Sequence, residues 1–297
     1  MKLFLILLTL GSLLQAQDKV NKKHLEPFKW NNSLPAQYEK EGVVHSTYKS
    51  EINKTTVGFH ILLPSAYKDE GPRRYPVVYL LHGGRPGSES KLLNMVPFIK
   101  EAHQTKIIPP TIYVFVNGGP VSHYDYPTPL KHLGPEVGTK GSSTFIKELI
   151  PHIDATYRTI AERKGRFIEG YSQGGRGTLR AAFRNPELFA AASAGSAGVA
   201  TELKVQQSQG LENDAVHFTP GDDVYSLAKE YAETKMKNHP LALLLYTGDS
   251  KKDFNWEGNV AYSKYLGSLG IEHQHLLIPG CGHSTKQAYE ISGPSLF

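Results

Sequence analysis

Ten residues, Arg166 to Gly175 (RFIEGYSQGG), constrain this chain more than any other stretch. A short β-rich run, Arg166 to Glu169, leads into Gly170-Tyr171-Ser172-Gln173-Gly174, and a helical pattern from Gln173 to Phe183 follows until Asn185 and Pro186 stop it. A serine at such a junction needs a sharp, strained backbone, and glycines two before and two after let neighbouring chain approach without a Cβ clash. The turn lifts the hydroxyl over the end of a sheet. The helix behind it offers its N–H groups and the positive end of its dipole, so the Gln173 amide is placed to stabilise a developing oxyanion. This is the pattern of a nucleophile elbow. Ala191-Ala192-Ser193-Ala194-Gly195 has a related form, but Ser196 to Ala200 do not open as a helix, so Ser172 is the expected nucleophile.

Such an elbow requires a sheet, and the rest of the chain supplies one. Short apolar runs bounded by Gly or Pro, at Val57 to Leu63, Val77 to Leu81, Thr111 to Val116, Arg166 to Glu169, Phe189 to Ala194, Leu241 to Thr247 and Gln274 to Ile278, alternate with helical segments. Several of these runs are apolar on both faces, as buried parallel strands are. The helices are read at Ser142 to Tyr157, with a kink at Pro151, and at Gln173 to Phe183, Asp223 to Met236 and Glu257 to Leu269. The fold class is α/β, a mostly parallel central sheet with helices on both faces. At 297 residues and 39% hydrophobic, with 28 Gly and 19 Pro scattered and no fixed-period repeat, one core is the simpler reading. The catalytic domain is expected over residues 51–297, with residues 17–50 an extension packing on it and Thr201 to Gly221 an excursion or lid.

The first residues, MKLFLILLTLGSLLQA, combine Lys2, an apolar run to about Leu14 and a small residue at Ala16. That is the pattern of a secretory signal peptide over residues 1–16, and the run is too short to span a membrane. The expectation is therefore a secreted or periplasmic protein with no integral membrane segment in the mature chain. Net charge is +5, from 33 basic and 28 acidic residues, without a block of five like charges. Lys22, Lys23, Lys251 and Lys252 are too sparse to track a nucleic-acid backbone, so no nucleic-acid partner is expected. Cys281 is the single cysteine, which excludes an internal disulfide.

A serine hydroxyl needs an imidazole base, and after an elbow of this type acid and base follow in the order Asp, then His. His283 lies in a Gly280-Cys281-Gly282-His283 loop after the last predicted strand, at the strand end where ligands of open α/β sheets gather, whereas His273 and His275 lie on or before that strand. The orienting acid belongs in the preceding strand's loop, GDSKKDFNW, where Asp249 and Asp253 compete and position alone leaves both open. The loser is read as a turn or cap residue. The second oxyanion donor is expected after the early strand in YPVVYLLHGGRPG, with Gly84 the first choice beside Gln173.

Taken together, YPVVYLLHGG, VNGGPVSHYDYP, FIKELIPHIDATYRT, GRFIEGYSQGGRGTLRAAFRNPELFAAA, DDVYSLA, TGDSKKDFNWEGN and IPGCGH resemble the putative-esterase family of α/β-hydrolases. That family groups feruloyl and acetylxylan esterases with esterase D, siderophore esterases and mycolyltransferases. The resemblance covers most of the chain after residue 16 and implies the α/β-hydrolase fold. Its G-x-x-D-F/W-x-Y/W-x-x-N string matches Asp253, Phe254, Trp256 and Asn259, which favours Asp253 as the acid. The spacing between Gly248 and Asp253 is two residues longer than in commoner members, which keeps Asp249 in play. The N-G-G…S-x-Y string at Asn117 to Tyr124 implies a cleft wall, so Ser122, His123, Tyr124 and Asp125, with Trp256, are substrate-contact candidates.

The function implied is a serine carboxylesterase working through Ser172, His283 and Asp253 and an acyl-enzyme, with no metal or organic cofactor called for. An export signal favours feruloyl or acetyl esters of polysaccharide over the cytosolic thioester that esterase D handles, with a siderophore or other small-ester hydrolase as the alternative. The rival from another class is a non-catalytic carbohydrate-binding protein on the same fold.

Overall fold

The computed structural model describes residues 28–69, 71–84, 86–126, 137–199 and 219–297. The segment expected to be a signal peptide, residues 1–16, lies outside them, as does nearly all of the 201–221 excursion.

Eight strands form one sheet: β1 (Val43–Ser50), β2 (Thr55–Leu62), β3 (Val77–Leu81), β4 (Ile112–Val116), β5 (Arg166–Tyr171), β6 (Ala191–Gly195), β7 (Ala242–Gly248) and β8 (Gln274–Ile278). Their order across the sheet is β1-β2-β4-β3-β5-β6-β7-β8. β2 runs antiparallel to both neighbours and all other pairs are parallel. The strand carrying the elbow, β5, is therefore central, between β3 and β6.

Side chains alternate across the pleat, and each face meets its own helices. Val77, Tyr79 and Leu81 of β3 face one core with Phe145, Leu149 and Ile153, Leu179 and Phe183, Leu227 and Tyr231, and Tyr262 and Leu266. Leu80, Tyr113 and Phe115 face the other, with Val96 and Ile99, and Ala288 and Tyr289. Helices α1 (Ala36–Lys40) and α2 (Val96–Gln104) precede β4, and α3 spans residues 141–156. They are followed by α4 (Gln173–Arg184), α5 (Val224–Thr234), α6 (Trp256–Ser268) and α7 (Thr285–Leu296). The kink expected at Pro151 takes the form of a π turn, Phe145–Leu149, just before it. The wider turn accommodates a residue that has no N–H to donate and whose ring crowds the carbonyl four positions back.

Three elements depart from the sequence reading. Residues 43–50 are an edge strand of the sheet, registered with β2 along its whole length, so the boundary set at residue 50 cuts through a hairpin. β1 reads as polar because only part of each face is covered: Val43, Tyr48 and Ser50 are buried while Val44 and Lys49 are exposed. α2 begins with a proline in its first turn, and α7 contains Pro294 and a non-helical Ser292. Those breaker residues mask an otherwise helical spacing.

Candidate active site

At the end of β5 the backbone of Ser172 takes φ 58° and ψ −117°, a strained conformation for a residue with a side chain. Neighbouring backbone holds it there. Ser172 N–H donates to Gly195 O at 2.8 Å, and Ser172 O accepts from Gly198 N at 2.9 Å and Arg176 N at 3.1 Å. The flanking glycines are sterically obligatory: a Cβ on Gly170 would strike Gly174 O, and one on Gly174 would strike Leu81 O. The result is a half-buried hydroxyl at the carboxyl edge of the sheet, directly before helix α4.

His283 sits between β8 and α7 in a loop with several anchors. Cys281 N donates to Ile278 O, Gly282 N to Gln287 Oε1 at 2.8 Å, and Ser284 caps α7 by accepting from Gln287 N. The imidazole Nε2 lies 2.9 Å from Ser172 Oγ and Nδ1 lies 2.9 Å from Asp253 Oδ1. With Nδ1–H donating to the carboxylate, Nε2 is left as the acceptor for the serine proton, the tautomer a general base requires.

The two aspartates after β7 have separate places. Asp253, at 1% exposure, reaches His283, whereas Asp249 accepts from Gly280 N at 3.0 Å and so braces the loop that carries the histidine. Asp253 also accepts from Ser196 Oγ at 2.7 Å, Thr247 Oγ1 at 2.9 Å and the N–H groups of Asn255 and Gly248. Burial pushes its carboxyl up, but the hydrogen bonds from His283, Ser196, Asn255 and Gly248 outweigh that and hold it well below the usual carboxylate range.

Gly83 packs against Ser172: a Cβ there would stand 2.9 Å from both Ser172 Cβ and Tyr171 O. Gly84 follows at φ 66°. This loop is interlocked with the next one. His82 Nε2 accepts from Gly118 N at 3.1 Å and Ser88 N at 3.3 Å, and His123 Nε2–H donates to His82 O at 3.0 Å. Ser122 Oγ donates to Gly84 O. Burial pushes both imidazoles down, so each stays neutral at the loop it supports.

Those bonds also place the four substrate-contact candidates of the Asn117 to Tyr124 segment and Asp125. Ser122 and His123 are buried behind the Gly83–Gly84 loop, Ser122 Oγ bonding to Gly84 O and His123 Nε2 to His82 O. Asp125 accepts from Ser143 N and Ser143 Oγ at the start of α3. Tyr124 is buried beneath the Arg180 guanidinium, 3.5 Å from its ring centre. In these positions the side chains brace the loops around Ser172. Trp256 is half-buried at the first position of α6, and Asn259 stitches that helix to Ala197 through its N–H and carbonyl. Gln173 opens α4 immediately after Ser172.

Two residues at the site escaped the sequence reading. Ser196 bonds to Asp253 and lies 2.9 Å from His283 Nδ1; its position just past the end of β6, at the carboxyl edge, is the signal that marks it. Phe254 is 74% exposed, with its ring centre 3.9 Å from that of His283. Its place next to the acid was visible, but exposure of a large apolar side chain is not.

A family model described as Putative esterase matches residues 50–273. Esterase MT1326 and Esterase Rv1288 of Mycobacterium tuberculosis are each 29% identical over 248 residues, covering 76% of this chain and 52% of theirs. The chain thus spans about half the length of the curated relatives it matches. Among solved structures, a ferulic acid esterase superposes with a TM-score of 0.69 at 20% identity, over 86% of this chain and 95% of its own. An S-formylglutathione hydrolase (FrmB) from Staphylococcus aureus gives 0.64 at 18%, over 84% and 94%. At those identities the likeness is one of fold, the α/β-hydrolase fold.

Proposed function

Since the chain belongs to the Putative esterase family, we propose that it is an exported serine carboxylesterase whose nucleophile is Ser172. The observation that carries this reading is the unbroken line from Ser172 Oγ through His283 to the Asp253 carboxylate, each step 2.9 Å. In the reaction His283 Nε2 takes the hydroxyl proton as Oγ attacks an ester carbonyl. The imidazolium that forms is stabilised by Asp253, and the proton passes to the leaving alkoxide. Water then attacks the acyl-enzyme with the same histidine as base. The tetrahedral oxyanion is assigned to the amides of Gly84, in the loop whose Gly83 packs against Ser172, and of Gln173, the first residue of α4.

The substrate class we favour is a feruloyl or acetyl ester carried on polysaccharide. It is supported by the export pattern of residues 1–16 and by the ferulic acid esterase among the structural neighbours. Phe254 beside His283 offers an exposed aromatic face to such a group. The S-formylglutathione hydrolase neighbour supports a small-ester alternative. Hydrolysis of methyl ferulate, 4-nitrophenyl acetate and acetylated xylan by wild type beside Ser172→Ala tests both. Turnover by wild type alone supports the mechanism and the ranking of substrates sets the class. Activity confined to the small acetate favours the alternative, and an inert wild type that still binds xylan favours a carbohydrate-binding role.

A further inference from the structure

The first hairpin carries two imidazoles that face each other across the ladder, and a carboxylate reaches them from the chain after β3. His45 on β1 and His60 on β2 are register partners, and their Nδ1 atoms lie 3.2 Å apart. One ligand atom each from His45, His60 and Glu89 lie within 4.8 Å of one another. None of the three touches the Ser172–His283–Asp253 line.

We propose that His45, His60 and Glu89 form a binding site for a divalent first-row transition ion, with Zn²⁺ the best fit, that ties the first hairpin to the loop carrying Gly83 and Gly84.

Four observations support the site. Two imidazole nitrogens sharing one tetrahedral zinc at about 2.0 to 2.1 Å stand about 3.3 Å apart, close to the observed spacing. His60 also has a partner for its other nitrogen: its Nε2 lies 3.0 Å from Ser90 Oγ. With Ser90 accepting from Nε2–H, as a ligating imidazole's second nitrogen commonly donates, the Nδ1 lone pair is turned toward His45.

Third, the Glu89 carboxylate is oriented as a ligand would be, accepting from Asn32 N at 2.7 Å, Asn32 Nδ2 at 2.8 Å and Asn117 Nδ2 at 2.9 Å. It is 1% exposed, and among the described residues it makes no ion pair, so a buried charge is met there only by neutral donors. A cation would balance it. Fourth, His45 is half-buried and lines a cavity of about 880 Å³ between the start of β1, the end of β2 and the C-terminal end of α2, an entry route and a source of water for the remaining coordination position. Two imidazoles and one carboxylate suit zinc and its neighbours rather than Ca²⁺ or Mg²⁺, which favour all-oxygen shells.

The ion's role is structural. Asn117 bonds to Glu89, and Ser88 bonds to His82, so an ion at Glu89 stiffens the turn that sets Gly83 against Ser172. Without an ion, a single N–H···N bond from His45 to His60 satisfies the pair, and the experiment separates the two states.

Chelator-treated full-length protein is titrated with Zn²⁺ alone by calorimetry, and with Co²⁺ by visible absorption. One ion per chain, a melting temperature that rises with zinc, and the absorption bands of a low-coordinate cobalt site are expected. His45→Ala, which also removes the His45–His60 bond and so lowers the zinc-free melting temperature, should lose the zinc-dependent rise in melting temperature and bind zinc about 100-fold or more weakly. Glu89→Gln should weaken binding as well. No saturable binding at submillimolar zinc, or binding by His45→Ala equal to wild type, overturns the proposal. The readout is independent of the esterase reading, because Ser172→Ala should bind zinc as wild type does.

Discussion

The Ser196 hydroxyl donates to Asp253 Oδ1 at 2.7 Å, on the same oxygen that faces His283 Nδ1. Ser196 is itself fixed by its N–H to Tyr246 O and by Asn255 Nδ2 bonding to its carbonyl. It belongs to the machinery as a positioning residue, fixing the carboxylate that orients the base. Ser196→Ala should lower kcat by about tenfold with KM unchanged, far less than the roughly 10³- to 10⁴-fold loss expected for Asp253→Asn. The acid limb supplies a second readout. With its folded value depressed, Asp253 contributes stability that is present above the unfolded carboxyl value and lost as pH falls through the folded one. Loss of the Ser196 donor raises the folded value, so the acid-unfolding midpoint of Ser196→Ala should move to higher pH. An unchanged midpoint together with unchanged kcat would remove Ser196 from the site.

Glu169, on β5 below the elbow, has the opposite sign. Burial pushes its carboxyl up to about 7 against hydrogen bonds from Tyr289 and Tyr246 that pull it down. A carboxyl raised in the folded state contributes stability that is full below the unfolded value and lost as pH rises through about 7. Between about pH 5 and pH 8 the wild type should lose stability relative to Glu169→Gln, measured by urea denaturation at each pH. Parallel curves would contradict the placement of this charge.

Gly83→Ala tests the approach of the β3 loop to the nucleophile. A Cβ there would stand 2.9 Å from Ser172 Cβ and from a backbone carbonyl, so the loop must move away from the serine. Displacing an oxyanion donor should lower kcat by about 100- to 1000-fold while the protein remains folded by circular dichroism. Full activity would place the oxyanion elsewhere.

Phe254→Ala tests the exposed ring over His283. At 74% exposure its removal should change stability by no more than about 0.5 kcal/mol. KM for aryl esters should rise more than KM for acetyl esters, since the ring offers an aromatic acyl group a face to stack on. Equal changes for both would assign the ring to shielding the imidazole instead.

The parts of this molecule legible in its sequence are those governed by local sterics and by burial on both faces. Strands β2 to β8 announced themselves as short apolar runs, and the elbow by glycines whose absent Cβ atoms the packing requires. β1 was hidden because an edge strand shows no clean alternation, and α2 and α7 because proline and a broken turn interrupt them. Within the site, chain order pointed to Ser172, His283 and two rival aspartates, and the fold brings Ser172, His283 and one of the aspartates together. Which aspartate reaches the imidazole is a matter of loop geometry: Asp253 folds back under hydrogen bonds from Thr247 and Gly248, while Asp249 turns to Gly280. Ser122, His123 and Asp125 have the polarity of ligand contacts, and only the fold shows their bonds to Gly84 O, His82 O and Ser143.

The central claim is covalent chemistry at Ser172, and its most direct test is intact-protein mass spectrometry during turnover of 4-nitrophenyl acetate, followed by peptide mapping. One acetyl group per chain should accumulate on Ser172 in a burst matched by nitrophenolate release, with neither adduct nor burst in Ser172→Ala. Acetylation at another residue, or turnover undiminished in Ser172→Ala, would contradict the mechanism.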